Sequence, residues 1–259
     1  MSAQLRSETQ DHTLVLTLSN PGFRNALGPE IYSAGYEALG AAENNPLVRS
    51  VIITGEGNTF SAGGNLHRLL ANREQDPSVQ ADSIESFHTW MEAIRTYPKP
   101  VIAAIEGAAS GAGFSLALMC DFVLAANDSI FVMAYSNIAL TPDGGGSWNL
   151  ASSLPRPVAN EILMLGERIP ATRLYQLGWV NQLCNPGESL AQALQLAQRL
   201  NARAPNALAS IKELVNAASQ NTLNAHLSLE KTQFVRHLHH PNAAEGITAM
   251  LDKRTAQYK

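Results

Sequence analysis

Apolar positions along the chain follow two alternating rhythms. Short β-branched runs at 12–18 (HTLVLTL), 49–54 (RSVIIT), 101–105 (VIAAI), 122–126 (FVLAA) and 131–133 (FVM) have the length and composition of strands. Between them, apolar residues recur at helical spacing over 29–42, 84–97 and 114–120. The second of these helices is expected to stop before Pro98, and the polar stretch 72–83 (NREQDPSVQADS) reads as a loop or lid. After Pro142 the rhythm is mostly helical. Short pieces at 147–154, 158–165 and 172–177 precede a strand at 179–183, and amphipathic stretches follow at 190–203, 207–220, 223–238 and 243–257. Strands alternating with helices predict a parallel α/β core, placed at residues 1–195. The helical remainder, 196–259, is expected to pack on that core or on a neighbouring subunit.

Two of the strand-to-helix junctions consist almost wholly of small residues. Residues 59–65 (TFSAGGN) follow the run ending at Thr54, and residues 107–113 (GAASGAG) follow the run ending at Ile105. A bare turn between a strand and a helix start leaves backbone N–H groups pointing outward with no side chain in the way. Two such turns brought together by a parallel sheet could hold one oxygen between two N–H donors, which is an oxyanion hole.

Composition narrows the remaining classes. The chain has 259 residues, 45% of them hydrophobic, enough for a large core. A net charge of −4 with no basic face gives no reason to expect a nucleic-acid partner. No apolar run is long enough to span a membrane. The first eight residues (MSAQLRSE) lack a basic segment followed by an apolar one, so a secretory leader is not expected and the cytoplasm is the default compartment. Cys120 and Cys184 have no metal-type spacing, and no metal site is expected.

The two turns belong to a longer series of landmarks. Asn20-Pro21 is followed by Asn25-Ala26-Leu27, then Phe60 to Leu66, Lys99 to Ala104, and Gly111-Ala112-Gly113 leading to Cys120-Asp121. Pro142-Asp143-Gly144-Gly145, Ala171 to Gly178 with Val180, Glu245-Gly246 and Lys253-Arg254 complete it. In order and spacing the chain resembles the crotonase superfamily, the enoyl-CoA hydratase/isomerase family, over nearly its whole length. The resemblance implies a crotonase-like ββα superhelix, a spiral core, with a helical C-terminal trimerisation region. It also implies a coenzyme A thioester as substrate, with no cofactor beyond the coenzyme A that the substrate carries. The thioester carbonyl would lie between the N–H groups of Gly64 and Ala112. Arg24, Ala26, Ala62 and Leu66 fall where the family lines the coenzyme A path. Lys253 would reach the coenzyme A of an adjacent subunit, since family members are usually trimers or dimers of trimers.

The acid–base positions depart from the hydratase pattern. Typical hydratases of the family orient a water with two glutamates, one in the helix after the second turn and one about twenty residues later; here those positions hold Ser115 and Tyr135. A serine or tyrosine hydroxyl can hold a water or a substrate atom but is a poor base at neutral pH. The carboxylate left is Asp143, at the turn where several family isomerases carry their single acid. The expectation is therefore an enzyme that moves a proton through an enolate, with Asp143 as general base and double-bond or ring-type isomerisation as the reaction. Three alternatives stay open at this point: a hydratase with a non-standard acid–base set, an aryl-CoA dehalogenase or hydrolase using Asp143 as nucleophile, and a non-catalytic acyl-CoA-binding member. Trp90 and Trp148 are read as core or pocket wall. His67 and His88, close to the polar stretch, are candidates for the edge of the site, with a surface role the expectation for each; the His239-His240 pair is read as a solvated helix end, and Asp121 as structural.

Overall fold

The computed structural model describes residues 3–259 and is built on a six-stranded sheet whose inner strands are largely apolar and buried on both faces. Its strands are β1 (Gln4–Gln10), β2 (Thr13–Ser19), β3 (Ser50–Gly55), β4 (Val101–Ile105), β6 (Phe122–Ala126) and β9 (Gln182–Cys184), side by side in that order. All neighbours run parallel except β1 and β2, which form an antiparallel hairpin. Strand β1 has no counterpart in the hydrophobic pattern. It is an edge strand with mostly exposed polar side chains, so backbone pairing rather than burial defines it. A smaller sheet joins β5 (Ala108–Ser110), β7 (Ile130–Val132) and β8 (Ile169–Pro170).

Helices cover both faces of the large sheet, as its apolar parallel inner strands require. On one side lie α1 (Pro29–Glu43), α3 (Pro77–Thr96) and α4 (Ala112–Met119), enclosing Phe60, Phe87, Trp90 and Phe114 in one core. At Gly35 in α1 a Cβ would fall 2.3 Å from the Trp90 ring, so glycine there lets α1 and α3 approach. On the other side α8 (Ser189–Asn201) packs Ala193 and Ala197 against Val15, Ile52, Ile102 and Leu124. Residues 195 and 196, where the sequence reading divides the chain, lie inside α8.

The stretch 72–83 is not a lid. Helix α2 (Leu66–Asn72) is followed by only four connecting residues before α3 begins at Pro77. Asp76 caps α3 by accepting from the Ser78 N–H, and Pro77 at the first helical position suits the helix start, so polar composition here marks a cap and a solvent-facing first turn. The piece expected at 158–165 divides into α6 (Arg156–Asn160) and a π-turn over Glu161–Leu165, closed by Gly166 at φ 59°. The strand expected at 179–183 starts later, because Trp179 N–H bonds back to the Leu174 carbonyl in the turn after α7 (Ala171–Gln176). The last helix is shorter than its amphipathic pattern: α11 (Pro241–Leu251) ends before Lys253, which adopts φ 55°.

The C-terminal helices α9 (Pro205–Ala218) and α10 (Leu223–Leu238) precede α11. Lys212 ties α9 to the core: its ammonium donates to Asp121 Oδ2 at 2.7 Å and to the Ile94 carbonyl at 2.9 Å, while Asp121 also accepts from the Val101 N–H. Outward, these helices expose large apolar side chains, among them Leu223, Phe234, Met250 and Leu251.

Candidate active site

Side-chain hydrogen bonds fix the first small-residue turn from below. Asn25, buried, donates from Nδ2 to the carbonyls of Glu56 (2.9 Å) and Thr59 (2.7 Å). Ser61, also buried, donates to the Asn25 carbonyl at 2.8 Å and accepts from the Gly63 N–H at 3.1 Å. The second turn holds the first laterally. Ser61 N–H donates to the Ala108 carbonyl, and Ser110 N–H donates to the Ser61 carbonyl, a parallel bridge between Ser61 and Ala109. The close approach depends on two glycines. A Cβ at Gly63, whose φ is 88°, would lie 2.5 Å from the Ser110 carbonyl oxygen, and one at Gly113 would lie 2.7 Å from the Ser61 side chain.

Two amides remain at this junction. Neither Gly64 N–H nor Ala112 N–H donates to a group of the chain among the described residues. Ala112 is the first residue of α4, where N–H groups have no intrahelical acceptor and the helix dipole favours negative charge. Gly111 before it takes φ 49° and donates to the Val132 carbonyl, which turns the chain into the helix.

The carboxylate sits across a single tyrosine ring from this point. A Cβ on Gly111 would touch the Tyr135 ring at 3.8 Å, and the Tyr135 hydroxyl donates to Asp143 Oδ1 at 2.5 Å. Ser115 on α4 donates to the Asp143 backbone carbonyl at 2.9 Å and lies 3.5 Å from the Tyr135 hydroxyl. Gly144, Gly145 and Gly146 then lead into α5 (Gly146–Ser153). Side chains are excluded at all three. A Cβ would fall 2.3 Å from Phe87 at Gly144, 2.1 Å from Met119 at Gly145 and 2.6 Å from Ser115 Oγ at Gly146, and the first two residues take φ 57° and 75°. The acid turn is thus pressed onto α3 and α4 with its backbone as the contact surface.

Burial raises the Asp143 pKa above the usual aspartate value, although the Tyr135 hydroxyl, which donates to the carboxylate, favours the ionised form. Burial and the Asp143 charge push the Tyr135 phenol upward, so it remains a donor. Tyr32 on α1 stacks against Phe87 at 4.9 Å between centroids; burial lifts its phenol to about 12, with Arg68 opposing and Asp143 adding. A carboxylate of raised proton affinity, with one oxygen held by a phenol and the other uncommitted, is suited to take a proton from carbon and return it.

The structure brings Gly64, Ala112, Ser115, Tyr135 and Asp143 together. Arg24 (φ 50°), Ala26, Ala62 and Leu66 lie on the two segments that meet at the first turn: Ala62 N–H bonds to the Arg24 carbonyl, and Leu27 pairs with Gly64. Ala26 is buried, while Arg24, Ala62 and Leu66 are exposed. Lys253 stands apart, exposed beyond α11. Trp90 is core, and Trp148 carries the Arg95 guanidinium 5.1 Å from its ring centroid. Two further residues of this region, Tyr32 and His88, carry little signal in the sequence. Tyr32 gave no signal beyond a place on an amphipathic helix. His88, for which a surface role is the expectation and the edge of the site the alternative, accepts the Gly144 N–H at Nε2 at 3.2 Å. The signal available for it is its position beside the core residue Phe87 on α3.

Comparison with known proteins gives a consistent picture. Residues 8–259 match the family model described as enoyl-CoA hydratase/isomerase. The chain is 33% identical over 257 residues to a 1,2-epoxyphenylacetyl-CoA isomerase of Escherichia coli, covering 97% of each. It is 31% identical to a 2,3-dehydroadipyl-CoA hydratase of the same organism, covering 99% of each. Among solved structures, an enoyl-CoA hydratase from Polaromonas sp. JS666 superposes with a TM-score of 0.98 at 65% identity, covering 99% of this chain and 100% of that one.

Proposed function

The chain belongs to the enoyl-CoA hydratase/isomerase family, and from that premise we propose that it shifts a proton within an acyl-CoA thioester. The thioester oxygen accepts from the N–H groups of Gly64 and Ala112. The free oxygen of Asp143 removes a proton alpha or gamma to the carbonyl, and the electron pair moves onto the thioester oxygen as an enolate. Each preorganised donor lowers that barrier by roughly 3–4 kcal/mol. Protonated Asp143 then returns the proton to a different carbon, so the double bond moves and the mass is unchanged. The chemistry uses no metal and no cofactor beyond the coenzyme A of the substrate.

One observation carries this reading: Asp143 is the carboxylate held at Tyr135, whose ring lies against the second turn, and the hydroxyls beside it are committed to its turn. Ser115 donates to the Asp143 carbonyl and Tyr135 to its carboxylate, an arrangement that holds an acid in place and does not supply a second base for water. Arg24, Ala26, Ala62 and Leu66 flank the coenzyme A moiety, with Lys253 supplied by an adjacent subunit of a homotrimer or a dimer of trimers. The similarity to an isomerase of 1,2-epoxyphenylacetyl-CoA supports a ring-derived or unsaturated acyl group.

A panel of enoyl-, dienoyl- and aryl-CoA esters in deuterated water tests the reaction class. The expected product keeps the substrate mass apart from deuterium at the alpha or gamma carbon and changes its absorption spectrum. A product heavier by one water overturns isomerisation. Asp143→Asn is expected to abolish exchange while leaving coenzyme A ester binding nearly intact, and retained exchange in that variant removes Asp143 as the base.

A further inference from the structure

We propose that His88 is a positioning residue that fixes the Asp143 turn through the unprotonated nitrogen of its ring. The inference rests on the reading of Asp143 as base. Asp143 and Gly144 share one peptide unit, and both of its polar edges are held. Its carbonyl accepts from Ser115 Oγ at 2.9 Å, and its N–H donates to His88 Nε2 at 3.2 Å. The residues that follow cannot stiffen the turn. Gly144 and Gly145 are both left-handed and carry no side chain, so rocking of this peptide plane is opposed by contacts alone.

A rotation of that plane changes ψ of Asp143 and swings its carboxylate relative to Gly64 and Ala112. Ser115 comes from α4 and His88 from α3, so the peptide is clamped between two helices that Phe87 and Ser115 already press against the glycines. The Tyr135 hydroxyl holds the carboxylate itself, and His88 holds the backbone from which it hangs. To accept at Nε2 the imidazole must be neutral with its proton on Nδ1, because a ring protonated at Nε2 would set two donors face to face. What the reaction uses from His88 is therefore an acceptor at a fixed point. A glutamine side chain can present one there through Oε1, and a leucine cannot.

The test compares His88→Leu and His88→Gln by deuterium exchange into whichever coenzyme A ester of the panel exchanges fastest. His88→Leu is expected to slow exchange at saturating ester by about ten- to a hundredfold, the scale of a misplaced catalytic group, with KM nearly unchanged. His88→Gln is expected to recover most of that rate. Nitrogen-15 spectra of the histidine side chains at mildly alkaline pH are expected to show His88 as the Nδ1–H tautomer. That measurement needs no substrate, so it judges the contact even where Asp143→Asn shows that the base lies elsewhere. A His88→Gln variant as slow as His88→Leu, a His88→Leu variant as fast as the parent, or an Nε2–H tautomer each overturns the proposal.

Discussion

At the scale of single residues, the acid group is governed by what touches it. Desolvation raises the Asp143 pKa and the Tyr135 hydroxyl partly reverses this by donating to the ionised form. Removing a donor to the charged form favours the neutral one, so Tyr135→Phe should raise the pKa further. The acid limb of the pH–rate profile is expected to move to higher pH, and a limb that moves down or stays in place contradicts the role given to the phenol. Ser61 has the corresponding part beneath the first turn. Ser61→Ala would leave the Asn25 carbonyl and the Gly63 N–H without their buried partner, a loss of about 1–3 kcal/mol by urea unfolding accompanied by slower exchange. Part of the candidate site is legible in the chain alone. Gly64, Ala112 and Asp143 stand out because glycine-rich turns and a lone acid leave a local trace. His88 and Tyr32 do not, because what brings them to the acid turn is the packing of α1 and α3, and a helix pattern says only which face is buried.

At the scale of elements, the main strands and helices follow hydrophobic rhythm, while the misread segments follow caps and pairing. Strand β1 is held by a hairpin ladder and not by burial, and α3 starts at an aspartate–proline cap inside a polar stretch that composition alone assigns to a loop. The link between α9 and the core is a second feature outside that rhythm. Asp121 is largely buried, burial raises its pKa, and Lys212 opposes the shift. Lys212→Met would leave this carboxylate buried without its partner, and losses of about 3–5 kcal/mol are typical for such a change. The sign of its pH dependence follows. A carboxyl whose folded pKa is raised is neutral in the fold at low pH, and its penalty grows as pH rises past its unfolded pKa toward the folded one. The destabilisation by Lys212→Met should therefore shrink on acidification from neutral pH, as read by urea midpoints across that range. A difference that widens toward acid would contradict the pair.

At the scale of the whole molecule, the exposed apolar side chains on α9, α10 and α11 are the surface an oligomer would cover. Sedimentation is expected to give three or six times the mass of one chain, and Phe234→Glu or Met250→Glu should lower that number. A parent protein that sediments as a single chain contradicts the proposed trimer. The large sheet sets the architecture and brings two turns from distant parts of the chain side by side.

The junction of those turns has a consequence for how such a protein changes over time. The two amides are spaced by a backbone ladder between Ser61 and β5, so no side chain supplies the groups that would face a developing negative charge. Substitution can alter the side chains that surround the acid turn, at His88, Ser115, Tyr135 and Asp143, without touching these amides. On the proposed function, a fold built in this way keeps its two amides through long divergence while selection tries new chemistry around them, provided the glycines that let the turns meet are kept.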